Sequence, residues 1–247
     1  MSEGCTPLVT AHSGCEGTAK NSLASVLAGL DGGADIIEVD IRSSLDVVPV
    51  LHHDPAIGGE SGRSLLLSGH TYEEILAFAG SEGIALTPLE TVMALIVEGG
   101  SVLNLDLKDI DCLGYINGLA DTCRARDSII ISGCGPEQAR QVIGLLPGVQ
   151  VLLNAYYDPA IMETGRYSAF VHTLCREAIE VGSCGINIDY MMCREELVLH
   201  ARRRFVPVSV WTVDDESDMQ QMASYGVFSI TTHHPRHLRT LLGERNW

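Results

Sequence analysis

Short runs of apolar, β-branched residues alternate with longer amphipathic stretches along the chain. The eight apolar runs, which we predict to be strands, are Pro7–Thr10, Ile36–Ile41, Val102–Leu107, Ser128–Ile131, Val149–Leu153, Gly185–Ile188, Val206–Thr212 and Phe228–Thr231. Helical spacing marks most of the segments between them, namely Asn21–Leu30, Pro88–Val97, Pro136–Leu146, Arg194–Arg204, Glu216–Tyr225 and Pro235–Leu242. Continuous apolar strands separated by helices are typical of a parallel sheet that is covered on both faces.

Eight strand–helix units in 247 residues predict an α/β protein with a single (β/α)8 TIM barrel. An open, doubly wound sheet is the alternative, but it usually carries a Gly-rich first turn, which this sequence lacks. Because the sequence shows no linker and no internal repeat, residues 1–247 are predicted to form one domain.

The segment after the second strand departs from this alternation. Pro49–Leu51 predicts a short inserted strand, and a Gly/Ser-rich loop is predicted over Ile57–Ser68. A helix is then predicted over Thr71–Ala79, with Thr71 as its N-cap and Glu74 at the capping-box position.

Charged side chains gather where the predicted strands end, which is the face that carries the active site in such barrels. The second strand ends with Glu38 and Asp40, and the third ends with Asp106 and Lys108. Residues two apart on a strand share a face, so each pair points the same way. Three converging carboxylates suit a hard divalent cation such as Mg²⁺ or Ca²⁺, with Mn²⁺ as a further candidate. The alternative is that Glu38 and Asp40 face outward and pair with arginines.

Two histidines lie beside this predicted cluster at neighbouring strand ends. His12 follows the first strand and His53 follows the inserted strand. Two imidazoles beside a metal can act as general acid and base in one displacement, which is the role we predict for them. The alternative is a purely structural role, which we assign to His52 because it points the other way along the strand.

Composition narrows the classes of partner. Acidic residues outnumber basic residues 32 to 16, and the net charge of −16 disfavours nucleic acid and anionic membranes as partners. The eight cysteines form no C-x-x-C motif, so we expect reduced, structural thiols, with a disulfide or metal role as the alternative. The N-terminus lacks the features of a signal peptide, and no apolar run approaches about 18 residues, so we expect a soluble cytoplasmic protein.

Several short motifs follow one another in order along the chain. They are His12-x-Gly14, Gly33-Ala34-Asp35-Ile36-Ile37-Glu38-Val39-Asp40, Pro49-Val50-x-x-His53-Asp54, Thr87-Pro88-Leu89-Glu90, Leu105-Asp106-Leu107-Lys108, Val210-Trp211-Thr212-Val213, and Gly226-Val227 with Pro235. Each motif alone is weak, but the combination spans nearly the whole chain and resembles the glycerophosphodiester phosphodiesterase family.

The resemblance implies a TIM barrel hydrolase that cleaves a glycerophosphodiester to glycerol 3-phosphate and an alcohol. The residues to which it assigns roles are Glu38, Asp40 and Asp106 for the divalent metal, His12 and His53 for acid–base catalysis, Lys108 for the phosphate, and Trp211 for the glycerol side of the pocket. The attacking group in such enzymes is either water or the substrate's own glycerol hydroxyl, which gives a cyclic phosphate first.

The chain departs from the family pattern at several positions. Ser13 stands where the His-Arg-Gly motif has its Arg, and Ala19-Lys20-Asn21-Ser22 replaces Pro-Glu-Asn-Thr. Asp106 replaces the usual Glu, and Thr232-His233-His234-Pro235 replaces Thr-Asp-x-Pro. Lys20 is one of only two lysines, and we hypothesise that it partly replaces the missing Arg at the phosphate. The alternative is that Lys20 is a solvated residue at a helix start.

Two other functions stay open at this point. One is a catalytically weakened family member that only binds a phosphorylated ligand, which the missing Arg supports. The other is a related phosphodiesterase or lyase with a different head group. The predicted metal and histidine positions are all chemically competent, which favours an enzyme over a binding protein.

Overall fold

The computed structural model describes residues 6–59, 61–163 and 165–243. The strands in these ranges are β1 (Leu8–Ala11), β2 (Ile36–Ser43), β3 (Pro49–Leu51), β4 (Ala56–Gly58), β5 (Ser64–Leu66), β6 (Val102–Leu107), β7 (Ile129–Cys134), β8 (Gln150–Ala155), β9 (Gly185–Asp189), β10 (Val208–Trp211) and β11 (Ser229–Thr232). The helices are α1 (Leu23–Asp31), α2 (Tyr72–Ser81), α3 (Leu89–Gly99), α4 (Leu113–Thr122), α5 (Pro136–Leu145), α6 (Pro159–Glu163), α7 (Tyr167–Val181), α8 (Glu195–Arg202), α9 (Glu216–Tyr225) and α10 (Pro235–Leu242).

Eight parallel strands close into a barrel in the order β1, β2, β6, β7, β8, β9, β10 and β11. Closure comes from β1, which pairs with β11 on one side, as in Leu8↔Ser229, and with β2 on the other, as in Thr10↔Ile36. The predicted (β/α)8 barrel is therefore confirmed, and the open, doubly wound sheet is excluded.

The predicted inserted strand is also confirmed. β3 lies outside the ring and pairs antiparallel with the end of β2, with Ile41 opposite Leu51 and Ser43 opposite Pro49. Because β3 extends the end of β2 that carries Glu38 and Asp40, the segment after it returns to the same face of the barrel.

The Gly/Ser-rich segment 57–68 contains more regular structure than the loop we predicted. β4 and β5 form an antiparallel hairpin in which Ile57 lies opposite Leu65. Ile57 is buried with Val50, Leu67 and Ile75 in a small apolar cluster of its own. Strands of three residues are too short to show an alternating pattern, so the sequence did not reveal this hairpin. Packing of its apolar side chains into the small cluster stabilises it.

Helix starts show which local signals are reliable. At α2, Thr71 and Glu74 form the predicted capping box, with Glu74 N donating to Thr71 Oγ1 at 3.3 Å and Thr71 N donating to Glu74 Oε2 at 2.9 Å. Helix α1 begins at Leu23 with Ser22 as its N-cap, not at Asn21. Asn21 has a φ of 56°, a left-handed conformation that asparagine tolerates and a helix excludes.

Apolar side chains of the strands and helices form one large buried cluster that includes Val9, Val39, Leu105 and Ile131. Buried polar side chains occupy alternate strand positions inside the barrel. Those that line a cavity of about 160 Å³ near the strand starts are Thr10, Asn104, Asn187, Ser209, Ser229 and Thr231. The apolar core therefore lies mainly between strands and helices, and the barrel interior combines these polar side chains with apolar ones such as Ile130 and Leu152.

The thiols agree with the expectation of reduced cysteines. Those described are all free, namely Cys15, Cys112, Cys123, Cys134, Cys175, Cys184 and Cys193, and Cys5 lies outside the described residues. Within those same ranges, no helix is both long enough and apolar enough to cross a membrane.

Candidate active site

A cavity of about 350 Å³ opens at the carboxyl ends of the barrel strands. All residues that the sequence singled out line it, namely His12, Lys20, Glu38, Asp40, His53, Asp106, Lys108 and Trp211. Five different segments of the chain supply them, so barrel closure is what assembles the set.

The carboxylates of Glu38, Asp40 and Asp106 form the buried floor of the cavity. Glu38 and Asp40 share one face of β2 and are only 6% and 2% exposed, which excludes the outward-facing alternative. The strand register places Asp106 of β6 directly beside Asp40. One oxygen from each carboxylate lies within 4.8 Å of the other two, a donor set that suits a hard divalent cation.

Lys108 is the cation already present among these carboxylates. Its Nζ lies 2.9 Å from Asp40 Oδ1 and also pairs with Asp106. Burial acts to lower the pKa of Lys108, but the charges of Asp106 and Asp40 outweigh it and raise that pKa above its ordinary value. Burial acts to raise the pKa of Asp40, but the charge of Lys108 and the hydrogen bonds to Asp40 outweigh burial and lower that pKa. Lys108 and Asp40 are therefore both charged.

The surroundings of Glu38 disfavour the charged form of its carboxyl group. Its burial raises its pKa well above the ordinary value, and the neighbouring charges of Asp40 and Asp106 raise it further. Only the backbone N–H of Ser13, which donates to Oε2 at 2.8 Å, and the charge of Lys108 act in the other direction. A divalent cation bound among these carboxylates would favour the charged form of Glu38.

Asn21, which sequence reasoning did not single out, braces Asp40. Its Nδ2 donates to Asp40 Oδ2 at 2.9 Å, and its Oδ1 accepts the backbone N–H of Asp40 at 2.8 Å. The backbone N–H of Asn21 donates in turn to Ser13 Oγ at 2.7 Å. Ser13 is 1% exposed and holds this loop, so the residue in place of the family Arg makes a structural contact.

Lys20 lies in the loop between β1 and α1 and is exposed at the cavity. A Cβ added to Gly14 would lie only 3.0 Å from Lys20 Cγ, and Gly14 has a φ of 86°. Glycine at this position therefore leaves room for the aliphatic part of the Lys20 side chain and tolerates the left-handed backbone. Within the described part of the chain, the Lys20 ammonium has neither an ion-pair nor a hydrogen-bond partner.

His12 carries its proton on a defined nitrogen. Nδ1 lies 2.9 Å from the Ser13 carbonyl oxygen, which can only accept, so Nδ1 is the protonated nitrogen and Nε2 the acceptor of the neutral ring. Glu38 Oε2 lies 3.9 Å from Nδ1. Burial lowers the pKa of His12, which favours this neutral form.

His53 occupies the more exposed rim of the cavity. Its Nδ1 lies 2.9 Å from Asp54 Oδ1, and no residue in the described ranges bonds Nε2. Arg42 continues the Glu38–Asp40 face of β2 and donates to the carbonyl oxygens of His53 at 3.0 Å and Lys108 at 3.4 Å. His52 bonds the Asp54 carbonyl oxygen instead and is not among the residues that line the cavity.

A third histidine, His233, was missed as a site residue. It follows β11, lines the cavity, and its ring centroid lies 4.4 Å from that of His12. Its Nδ1 lies 2.8 Å from Asp214 Oδ2. Burial raises the pKa of Asp214, but the hydrogen bonds from His233 and Thr232 outweigh it and lower that pKa. The available signal was the altered Thr232-His233 motif, which alone does not reveal the contact with His12.

Aromatic and hydroxyl groups complete the cavity wall. The ring of Trp211 meets that of Tyr156 edge to face, with centroids 5.8 Å apart and planes at 71°. Ser132 Oγ donates to Asp106 Oδ1 at 2.7 Å and thereby orients the third carboxylate.

Comparison with known proteins identifies relatives over nearly the whole length. Residues 12–113 and 119–237 match the model of the "Glycerophosphoryl diester phosphodiesterase family". A glycerophosphodiester phosphodiesterase of Caldanaerobacter subterraneus subsp. tengcongensis is 25% identical over 95% of this chain and 97% of its own.

Solved structures agree on the fold. A putative glycerophosphoryl diester phosphodiesterase from Silicibacter pomeroyi superposes with a TM-score of 0.80 at 19% identity, covering 96% of this chain and 93% of that one. A phosphodiesterase from Oleispira antarctica in complex with the product sn-glycerol-3-phosphate gives a TM-score of 0.75 at 18% identity, with 96% and 97% coverage.

Proposed function

The chain belongs to the glycerophosphoryl diester phosphodiesterase family, and from that premise we propose that it hydrolyses glycerophosphodiesters to glycerol 3-phosphate and an alcohol with the help of a divalent cation. The observation that carries the proposal is the convergence of three carboxylates, two lysines and three histidines on one cavity. The curated relative of the same name supports the reaction class.

Glu38, Asp40 and Asp106 are the residues that would hold the cation. They offer only oxygen ligands, the donor type that Mg²⁺, Ca²⁺ and Mn²⁺ prefer. A bound divalent cation supplies charge neutralisation at the phosphate and polarises a coordinated oxygen. The substitution of Asp106 for the family's Glu shortens one ligand by about one C–C bond, or about 1.5 Å.

Two cations of the chain would contact the phosphate. Lys108 is held between Asp40 and Asp106, so its charge lies at the edge of the carboxylate cluster where a phosphate oxygen would approach. Lys20 faces the cavity without a partner from the described residues and supplies a point charge in place of the family Arg.

His12 and His53 would act as general acid and base. They follow β1 and β3, two of the three strands that pair with β2, and so lie close to the carboxylates that β2 carries. Each ring has Nδ1 next to a protein acceptor and an Nε2 that no described residue bonds, the arrangement needed to take a proton from an attacking oxygen. The partner in its protonated form then gives a proton to the departing alcohol.

The proposed reaction is tested by product release. Purified protein with Mg²⁺, Mn²⁺ or Ca²⁺ is expected to release glycerol 3-phosphate from glycerophosphocholine, and EDTA is expected to abolish that release. The measurement is an enzyme-coupled assay of glycerol 3-phosphate, with restoration by added cation as the control for chelation. Well-folded protein that releases nothing from several diesters with any of these cations would instead favour a binding protein.

The role of Lys20 has its own test. Lys20→Ala is expected to lower kcat/KM for glycerophosphocholine about 3- to 10-fold at low ionic strength, and less at high salt, because counterions screen an exposed charge. Lys20→Arg keeps the charge and should retain most of the activity. Arg140→Ala, which removes a positive charge from exposed α5, is the matched control. An unchanged kcat/KM for Lys20→Ala at low salt would make Lys20 a solvated loop residue.

A further inference from the structure

The cavity wall formed by the ends of β10 and β11 holds a histidine that the proposed reaction leaves without a role. The ring of His233 lines the cavity and lies against His12, with ring centroids 4.4 Å apart. Its side chain is about one-third exposed. Whatever molecule occupies the cavity beside His12 therefore also meets His233.

Asp214 holds this ring in one orientation and one tautomer. Its Oδ2 lies 2.8 Å from His233 Nδ1, and its Oδ1 accepts the backbone N–H of His233 at 2.8 Å and the hydroxyl of Thr232 at 3.0 Å. Because a carboxylate can only accept, Nδ1 carries the proton and Nε2 is the acceptor of the neutral ring. No other described residue donates to Nε2, so this acceptor is available to a ligand.

The order of strands separates His233 from the carboxylates and from Lys108. Glu38 and Asp40 lie on β2, and Asp106 and Lys108 lie at the end of β6. His233 follows β11, which pairs with β1 on the far side of His12. When the phosphate of a substrate binds beside these carboxylates and their cation, the part of the substrate next to the phosphate lies at His233.

In glycerophosphocholine, the part of the substrate that carries hydroxyl donors is the glycerol. A free imidazole acceptor in a fixed orientation matches such a donor and offers nothing to an alkyl chain. We propose that His233, held in place by Asp214, accepts a hydrogen bond from a glycerol hydroxyl of the substrate and so selects glycerol-bearing phosphates. This rests on the proposed function for the identity of the substrate.

Binding of two phosphate monoesters tests the selection without depending on catalysis. Glycerol 3-phosphate and n-propyl phosphate have the same chain length, but only the first carries hydroxyls. Titration calorimetry with Mg²⁺ present is expected to show that the wild type prefers glycerol 3-phosphate. His233→Ala should weaken glycerol 3-phosphate about 3- to 10-fold, the equivalent of one hydrogen bond, and leave n-propyl phosphate within about 2-fold.

The remaining variants separate recognition from a general loss of structure. Asp214→Asn keeps the shape but changes the hydrogen bonding of the ring, and it should reduce the same preference. The control is His237→Ala, because His237 Nε2 and Glu216 Oε2 form a similar surface pair, 3.1 Å apart, that lies outside the cavity. Melting temperatures of all variants report whether the fold is intact.

The outcomes distinguish the two proposals. If His233→Ala weakens both phosphates equally, or neither, the role of His233 is wrong while hydrolysis can still stand. If the wild type binds the two phosphates equally, or binds neither, hydroxyl recognition is also overturned. If the wild type hydrolyses no diester but still prefers glycerol 3-phosphate through His233, hydrolysis fails and hydroxyl recognition stands.

Discussion

Replacing His12 by alanine is expected to lower kcat for glycerophosphocholine by at least about 10²-fold, the usual contribution of a general acid or base. The ring lines the cavity next to Glu38, whose Oε2 lies 3.9 Å from Nδ1, and its lowered pKa favours the neutral form, in which Nε2 can take a proton. His12 is partly exposed, so its removal should change the melting temperature little. Steady-state kinetics with saturating Mg²⁺ provide the measurement.

His53→Ala should show a loss of similar size, and the pair can be assigned by changing the leaving group. A glycerophosphodiester of p-nitrophenol needs little protonation of its leaving group, so the variant that lacks the general acid should recover most of its rate on this substrate. His52→Ala, whose ring bonds the Asp54 carbonyl oxygen, is the neighbouring control and should stay within about 3-fold of wild type. Wild-type rates in both the His12 and His53 variants would refute the acid–base assignment.

Replacing Glu38 by glutamine is expected to reduce the rise in melting temperature that divalent cations cause. A cation at 100 times its dissociation constant stabilises the fold by about 2.7 kcal/mol. For a domain of this size that raises the melting temperature by roughly 5–10 °C. In Glu38→Gln, loss of a ligand should weaken cation binding at least about 10- to 100-fold and shrink this shift at the same cation concentration.

The sign of the effect without cation makes the Glu38 test specific. Glutamine can still accept the Ser13 N–H, and it removes a buried charge that Asp40 and Asp106 repel. Cation-free Glu38→Gln should therefore be as stable as the cation-free wild type or more stable. Glu98→Gln, on the exposed end of α3, is the control for removing a carboxylate and should keep the full cation-induced shift. A full shift in Glu38→Gln would exclude Glu38 as a ligand.

Most departures from the family pattern gather in one place in the structure. Ser13 and Lys20 belong to the loop after β1, and His233 belongs to the loop after β11. These loops touch, because β1 pairs with β11 and the backbone N–H of Glu16 donates to the His233 carbonyl oxygen at 2.8 Å. The loss of an Arg and the gain of a lysine and a histidine therefore alter one wall of the cavity.

Much of the architecture follows from the chain alone. A strand side chain alternates between faces whatever the rest of the fold does, so Glu38 and Asp40 had to share a face. The capping box at Thr71 is equally local, because both of its hydrogen bonds join residues three positions apart. The hairpin of β4 and β5 was missed because its pattern is too short and its stability comes from the insertion's own apolar cluster.

Only the tertiary structure decided which distant groups meet. The sequence predicts that Asn21 begins a helix. In the structure its left-handed backbone instead turns its side-chain amide toward Asp40, 19 positions later. The approach of His233 to His12 depends on barrel closure through β1 and β11, which no local pattern encodes. The sequence by itself therefore determined the fold class and the carboxylate and histidine candidates. The alternation of side chains along a strand and the order of the motifs can both be recognised from the chain without its tertiary structure. Contacts between loops depend on how the closed sheet sets its strand ends side by side, so the bracing of Asp40 and the His233–Asp214 pair required the folded barrel.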